Sequence, residues 1–190
     1  MNASKIEEQK AVEDKNVQTF SQSLFDWMKF FLILGVLLVI LLNTVGLTKV
    51  SGFSMYPTLN DGDVVFVNKL ARFTHDPELG DVAIMKLRAE GFDVVKRIIG
   101  VPGDTVFIKN GIIYVNNQPV PEISTNGTSE DMKKITVPKN KIFVVGDNRE
   151  PGISFDSRSK DFGFIPINDI KGYVFISILP IHKIAKPLKV

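Results

Sequence analysis

The sequence contains no cysteine, so disulfides, thiolate metal sites and a cysteine nucleophile are all excluded. Histidine is scarce as well, because only His75 and His182 occur among 190 residues. Neither lies in a suggestive motif, which argues against a histidine-based metal site and against a Ser-His-Asp triad. We therefore predict no metal site. Any hydrolytic chemistry must use other groups.

A strong excess of one charge is also missing. The formal net charge is only +2, and the 23 lysines and arginines are spread along the chain. A nucleic-acid-binding domain usually concentrates its basic residues in a patch or a run. The sequence therefore predicts no nucleic-acid partner.

Residues 30–47, FFLILGVLLVILLNTVGL, lack charge altogether. As a helix this segment would rise about 27 Å, close to the roughly 30 Å hydrocarbon core of a bilayer, which predicts a transmembrane anchor in contact with lipid. Residues 1–29 are predicted to form a polar tail, in which residues 1–22 are mobile with some helix. A tail of this length does not fit a cleaved secretory signal. Lys29 and Lys49 flank the anchor on both sides, so the positive-inside rule leaves its orientation open.

Residues 48–190 carry the pattern of a β-rich domain. Short runs rich in Val, Ile and Phe alternate with turn residues and predict strands: DVVFV, DVAIM, DVVKRII, DTVFI, GIIYV, KIFVV and GYVFISI. Asn110-Gly111 lies between two of these runs and predicts a type I′ hairpin. Residues 117–140 are polar and little patterned, so we expect an excursion from the sheet without a second core. The predicted fold class is mainly β behind one N-terminal transmembrane helix.

The motif SGFSMYPTL, residues 51–59, places Ser54 among apolar neighbours soon after the anchor. A serine in a loop is usually only a loop residue, because an alcohol is a weak nucleophile without an adjacent base. Ser54 alone therefore predicts little, and a catalytic role needs a partner elsewhere in the chain.

Lys96 in DVVKRII is a candidate for that partner. Strand alternation puts its side chain on the same face as Val94 and Ile98, and Arg97 on the other face. A free lysine has a pKa of about 10.4, but burial can lower it by about 3 to 5 units and yield a neutral base near neutral pH. The alternative is a lysine at a strand edge whose ammonium group extends to water.

A third stretch, KIFVVGDNR followed by SFDSR, ends a predicted strand with clustered polar residues. It can form the rim of an active site, or it can be an ordinary turn whose charged residues pair with one another. The residues in question are Asp147, Asn148, Arg149, Ser154, Asp156 and Arg158.

In this order and behind a membrane segment, the stretches resemble the bacterial type I signal peptidases, which use a serine/lysine dyad. The resemblance rests on SGFSMYPTL, GDVVFVNK, VVKRIIGVPGD and VVGDNR with SFDSR, and with the anchor it extends from residue 30 to about 175. It implies a coiled, mostly antiparallel β catalytic domain on the extracytoplasmic face of the cell membrane. It also implies secretory preproteins as substrates, with small residues, typically Ala, at the first and third positions before the cut, and no cofactor.

The same resemblance implies a role for each matching residue. Ser54 is the expected nucleophile, Lys96 the expected general base, and Ser154 the expected hydroxyl that orients the lysine. The expected polar scaffold around them consists of Asp147, Asn148, Arg149, Asp156 and Arg158.

Two departures from the family pattern stand out. The family places a side-chain hydroxyl two residues before the nucleophile as an oxyanion-hole donor, and this chain has Gly52 there. Ser51 is a candidate substitute by proximity alone. Four residues, 150–153, separate Arg149 from Ser154, where the family more often has two.

Two other functions fit part of the pattern. A self-cleaving serine/lysine protease of the repressor type shares the dyad and the β fold, but the first fifty residues offer neither a DNA-binding domain nor a linker with a cleavage site. A catalytically silent, membrane-tethered binding module fits if Ser54 and Lys96 are dispensable.

Overall fold

The structure, a computed structural model, describes residues 3–88 and 90–184, with side chains from residue 23 onward. The chain divides into two compact units, Met1–Asn43 and Thr44–Val190. The candidate site residues all belong to the second unit.

Helix α1 runs from Ala3 to Thr44 and accounts for the first unit. Its segment Ser23–Thr44 has a mean hydropathy of 2.3 and is long and apolar enough to cross a membrane. Residues 3–29, predicted as a polar tail, belong to the same helix. The helix ends three residues before the predicted end at residue 47, because Val45–Lys49 pairs with a neighbouring strand. That pairing gives its backbone groups hydrogen-bond partners outside the helix.

The described part of the second unit contains twelve strands and two short helices. The strands are β1 (Val45–Lys49), β2 (Val64–Asn68), β3 (Val82–Leu87), β4 (Phe92–Gly100), β5 (Thr105–Lys109), β6 (Ile112–Val115), β7 (Gln118–Pro119), β8 (Met132–Thr136), β9 (Lys141–Val145), β10 (Ile165–Pro166), β11 (Ile170–Leu179) and β12 (Ile181–Lys183). Helix α2 is Ala71–Thr74, and Ile167–Asp169 forms a 3₁₀ turn. All seven runs predicted as strands are strands, which confirms the mainly β fold class.

The larger sheet has the order β1-β2-β11-β3-β4-β9-β10, and β12 pairs with β11. Its pairings are antiparallel. Strand β4 lies between β3 and β9, with Lys96 opposite Ala83 and Arg97 opposite both Val82 and Val145. This central position removes both cationic side chains from the edge of the sheet.

The smaller sheet has the order β7-β6-β5-β8. Strands β5 and β6 are joined by Asn110 and Gly111, whose φ values of 52° and 79° confirm the predicted type I′ hairpin. Residues 117–140, predicted as an excursion from the sheet, supply β7 and β8 of this smaller sheet, so the expectation is wrong for residues 118–119 and 132–136. Val120 and Val137 from this segment are buried in the core beneath the sheet. Residues 120–131, between β7 and β8, belong to no named strand.

Candidate active site

Ser54 lies in residues 51–59, part of the connection between β1 and β2. We name this segment the nucleophile loop after the predicted role of Ser54. The Asn148 N–H donates to the Ser54 carbonyl oxygen at 3.0 Å, and the Asn148 side-chain amide donates to the Phe53 carbonyl oxygen at 3.2 Å. Met55 and Leu59 are buried on the same loop and anchor it in the core. Among the described residues, the Ser54 hydroxyl has no hydrogen-bond partner. The backbone is therefore fixed while the hydroxyl stays available.

Lys96 is buried within β4, with only 3% of its surface exposed. Its Nζ donates to Ser154 Oγ at 3.0 Å. Val94 and Ile98, predicted to share its face, belong to one core cluster. The ammonium group therefore does not extend to bulk water, and the alternative of a surface lysine is excluded.

Burial lowers the pKa of Lys96 to about 8, because the charged ammonium loses its water shell. The Asp156 carboxylate acts in the opposite direction, and the Arg158 guanidinium again lowers the pKa. Arg158 pairs with Asp156 at 2.8 Å, so its positive charge offsets the attraction of the carboxylate for the lysine. Desolvation therefore dominates, and a useful fraction of Lys96 is neutral near neutral pH.

Ser154 fixes the direction of the lysine nitrogen. Its hydroxyl donates to Asp156 Oδ2 at 2.5 Å, and because a hydroxyl has one proton, it accepts the hydrogen bond from Lys96. Burial acts to raise the pKa of Asp156, but hydrogen bonds and charge from Arg158, the Gly146 N–H and the Ser154 hydroxyl outweigh it and hold the pKa below its ordinary value. Asp156 is therefore an acceptor, so Lys96 donates to Ser154 and Ser154 donates to Asp156. Although four residues separate Arg149 from Ser154, where the family more often has two, Ser154 still lies within hydrogen-bond distance of Lys96.

Gly146 allows these groups to approach one another. A Cβ at this position would overlap both the Ser54 carbonyl oxygen and Ser154 Oγ. The Gly146 N–H donates to Asp156 Oδ2 at 2.9 Å, so the backbone itself is part of the polar cluster. Sequence reasoning did not single out this glycine, because its restriction comes from contacts with two other segments.

Asp147 is fully buried and binds the nucleophile loop. Arg97 donates to it through Nε at 2.7 Å and Nη2 at 2.6 Å, and the Thr58 hydroxyl donates to Oδ2 at 2.5 Å. Arg97 is 3% exposed and points away from the Lys96 face of β4. Lys96 and Arg97 are adjacent in β4, but Lys96 bonds to Ser154 and Arg97 bonds to Asp147. The ion pair of Arg97 and the hydrogen bond of Thr58 were not predicted from the sequence, although a charged residue inside a strand run was a usable signal.

The other scaffold residues brace the loop that follows β9. Arg149 is 2% exposed, donates from Nε to the Gly146 carbonyl oxygen at 2.9 Å, and reaches Glu122 at 3.3 Å. Arg158 donates from Nη1 to the Arg149 carbonyl oxygen at 3.0 Å. With the Arg158–Asp156 pair and the Ser154–Asp156 hydrogen bond, these contacts join Arg149, Ser154, Asp156 and Arg158 into one connected network.

The segment 117–140 also reaches the site, which the sequence analysis did not anticipate. The Asn126 N–H donates to the Asp147 carbonyl oxygen at 3.0 Å, and the Arg149 N–H donates to the Asn126 carbonyl oxygen at 2.6 Å. The Thr58 hydroxyl also contacts the Ser124 carbonyl oxygen at 3.2 Å. The segment therefore supports the scaffold from the side of the smaller sheet.

Ser54 and Lys96 line one cleft of about 520 Å³. Its walls are largely apolar and include Phe53, Ile84 and Phe155. Within the described part of the chain, no hydrogen bond joins Ser54 to Lys96. Catalytic hydrogen bonds are often long before substrate binds, so this geometry is compatible with a nucleophile and base that form their hydrogen bond once substrate is bound.

The predicted oxyanion position, Gly52, does not offer a free donor. It adopts a φ of +88°, and its N–H donates to Asp61 Oδ1 at 2.8 Å. The Ser54 N–H, by contrast, makes no hydrogen bond to any described residue. Ser51 is exposed on the same loop and also lines the cleft.

Neither histidine forms a hydrogen bond with Ser54. His75 Nε2 contacts Asp81 Oδ2 at 2.7 Å and lines a separate cavity of about 180 Å³. His182 Nε2 lies 2.9 Å from the Thr58 carbonyl oxygen. Among the described side chains, Ser54 is therefore not part of a Ser-His-Asp arrangement.

Comparisons with known proteins identify the family of the chain. The family model described as "Signal peptidase, peptidase S26" matches residues 24–179. The chain is 36% identical to signal peptidase I of Bacillus amyloliquefaciens, covering 93% of this chain and 96% of that protein. It is 34% identical to signal peptidase I S of Bacillus subtilis, covering 79% and 94%.

A signal peptidase I crystal structure from Enterococcus faecalis is 30% identical, with a TM-score of 0.44 over 52% of this chain and 96% of that chain. The family match spans most of the sequence, including both Ser54 and Lys96. The chain therefore belongs to the signal peptidase family, peptidase S26, of serine endopeptidases.

Proposed function

We propose that this chain removes signal peptides from exported preproteins, with Ser54 as nucleophile and Lys96 as general base. The observation that carries the proposal is a buried lysine that is hydrogen-bonded to Ser154 and shares a cleft with Ser54, whose hydroxyl has no hydrogen-bond partner among the described residues. A silent binding module has no need for a lysine that burial keeps partly neutral. Family membership supports the reaction class, and the cleft supports the dyad.

The proton inventory supports the base role of Lys96. A neutral amine carries two N–H bonds and one lone pair. One N–H is directed to Ser154 Oγ, which leaves the lone pair able to accept a proton from Ser54. As Ser54 Oγ bonds to the scissile carbonyl carbon, its proton passes to Lys96, which then returns it to the leaving amine. Water hydrolyses the resulting ester by the same route and restores the serine.

The developing oxyanion needs hydrogen-bond donors. The Ser54 N–H is the donor we propose, because it is unpartnered among the described residues and belongs to the nucleophile itself. Gly52 lacks a side-chain hydroxyl, and Thr58 already donates to Asp147. Ser51 is the remaining hydroxyl that lines the cleft on this loop. We propose Ser51 as the second donor once substrate is bound.

The membrane location follows from the same proposal. The Ser23–Thr44 segment supplies a single span in contact with lipid, and the catalytic unit then lies on the extracytoplasmic face, where signal peptides of exported proteins are cleaved. Cleavage of the catalytic unit by protease added outside intact cells tests this orientation directly.

Cleavage of a preprotein with Ala at the first and third positions before the cut tests the function. The detergent-solubilised full chain is expected to cut at that bond, with the product mapped by mass spectrometry, and the Ser54→Ala variant is expected to leave the preprotein intact. A parent protein that cuts nothing, or a Ser54→Ala variant that still cuts, favours the binding module.

The rate should rise with pH, because only neutral Lys96 can accept the serine proton. With its pKa at about 8, each unit below pH 8 reduces the neutral fraction about tenfold. We expect kcat/KM for preprotein cleavage to rise about tenfold per unit from pH 6 and to level off above pH 8. A profile that stays flat from pH 6 to 10 would contradict the role of Lys96.

A further inference from the structure

Strand β12, near the end of the described chain, contacts the nucleophile loop through one histidine. His182 pairs with Ser177 of β11, and its Nε2 reaches across to the Thr58 carbonyl oxygen at 2.9 Å. Thr58 is 8% exposed and lies four residues after Ser54. The proposed mechanism does not use this contact.

The chemistry of the contact gives the imidazole a defined role. A carbonyl oxygen only accepts, so Nε2 carries the hydrogen and donates to Thr58. Nδ1 of the same ring lies 3.2 Å from the Pro180 carbonyl oxygen. The neutral ring with hydrogen on Nε2 satisfies Thr58 alone, and the doubly protonated ring satisfies both carbonyls. In both forms His182 ties β12 to the loop.

The loop is held from two further directions. Asn148 binds the Ser54 carbonyl oxygen, and Asp147 binds the Thr58 hydroxyl. Below the loop, Met55 and Leu59 share a core cluster with Ile184, two residues after His182. The Ile184 N–H also donates to the Phe175 carbonyl oxygen at 3.0 Å, which seats the segment after β12 against β11.

Without the His182 contact, the Thr58 carbonyl oxygen would lose a donor while its hydroxyl stayed bound. The peptide after Thr58 could then rotate, and Leu59 N–H, which donates to the Met55 carbonyl oxygen at 2.9 Å, would lose its fixed partner. That turn directly follows Ser54. Small errors in nucleophile placement reduce the rate of attack more than they reduce substrate binding.

We propose that His182 is a positioning residue for the Ser54 nucleophile, acting through the Thr58 carbonyl oxygen. The inference rests on the proposed function for its catalytic effect and on the geometry alone for its effect on the loop. By this proposal, β12 holds the C-terminal half of the nucleophile loop in place through His182.

The first test compares His182→Ala with His182→Gln in the full chain in detergent. We expect His182→Ala to lower kcat for preprotein cleavage about tenfold with KM nearly unchanged. Glutamine can present an amide N–H close to the Nε2 position and should recover most of that loss. The pH at which the rate levels off should stay the same, because Lys96 and its partners are untouched. His75→Ala, which removes the other histidine, is the matched control and should leave kcat unchanged.

Hydrogen–deuterium exchange gives a readout that needs no activity. His182→Ala should speed exchange in peptides covering residues 53–60, with Leu59 as the reporting amide. Peptides from the β5–β6 hairpin, residues 105–115, should exchange as in the parent.

The outcomes separate the two proposals. Faster loop exchange together with a loss in kcat that glutamine restores supports positioning. Unchanged loop exchange, or unchanged kcat in a folded His182→Ala variant, overturns it. A parent chain that cuts no preprotein refutes the proposed function, and the exchange data then decide by themselves whether His182 anchors the loop.

Discussion

Replacing Lys96 with methionine is expected to lower kcat/KM for preprotein cleavage by about 10⁴-fold or more. Methionine keeps an unbranched apolar stem in the buried β4 position but cannot accept the serine proton. The Ser54 hydroxyl then has no base, since neither histidine forms a hydrogen bond with it and the Asp156 carboxylate already accepts from Ser154, Gly146 and Arg158. The variant should stay folded, because a buried amine that is costly to charge is replaced by an apolar group.

The measurement is single-turnover cleavage at pH 8.5 beside Ser54→Ala and the double variant. If Ser54 and Lys96 act as one unit, as proposed, the double variant should be no slower than either single variant. Lys86→Met is the matched control, since Lys86 is an exposed lysine on the adjacent strand β3. A Lys96→Met variant that retains more than a few per cent of parent activity would remove Lys96 from the mechanism.

Removing the Asp147 carboxylate is expected to cause the largest loss of stability. Asp147→Ala leaves the Arg97 guanidinium buried without its bidentate partner and removes the hydrogen bond between the Thr58 hydroxyl and position 147. Breaking one side of a buried ion pair typically costs about 3 to 5 kcal/mol of unfolding free energy. Activity should fall as well, because the nucleophile loop loses its attachment to β4.

Denaturant unfolding of the full chain in detergent measures the change in unfolding free energy. Asp93→Ala is the matched control: Asp93 pairs with Lys171 at 2.7 Å, but the two side chains are 42% and 46% exposed. Exposed pairs contribute less than about 1 kcal/mol, so the control should be nearly neutral. Replacing both Arg97 and Asp147 with apolar residues should recover part of the loss, because no unpaired charge remains. An Asp147→Ala variant as stable as the control would show that the pair does not hold the loop.

Local sequence patterns predicted much of the fold. Seven apolar runs bounded by turn residues became strands, and Asn110-Gly111 formed the expected hairpin, because these signals depend on neighbours within a few residues. The predicted Lys96 face, shared with Val94 and Ile98, also followed from alternation alone. Short edge strands such as β7, β10 and β12 were missed, since two or three residues carry too little pattern to stand out.

The sequence by itself determined the apolar helix, the strand-rich domain, and the motifs that contain Ser54 and Lys96. It did so because hydrophobic periodicity and turn chemistry are local properties. Only the tertiary structure decided which polar groups meet. Lys96 joins Ser154 across 58 residues, Arg97 joins Asp147 across 50, and Thr58 joins Asp147 across 89. The lowered pKa of Lys96 and the restriction to glycine at position 146 both arise from that packing, because burial and close approach depend on segments far apart in the chain.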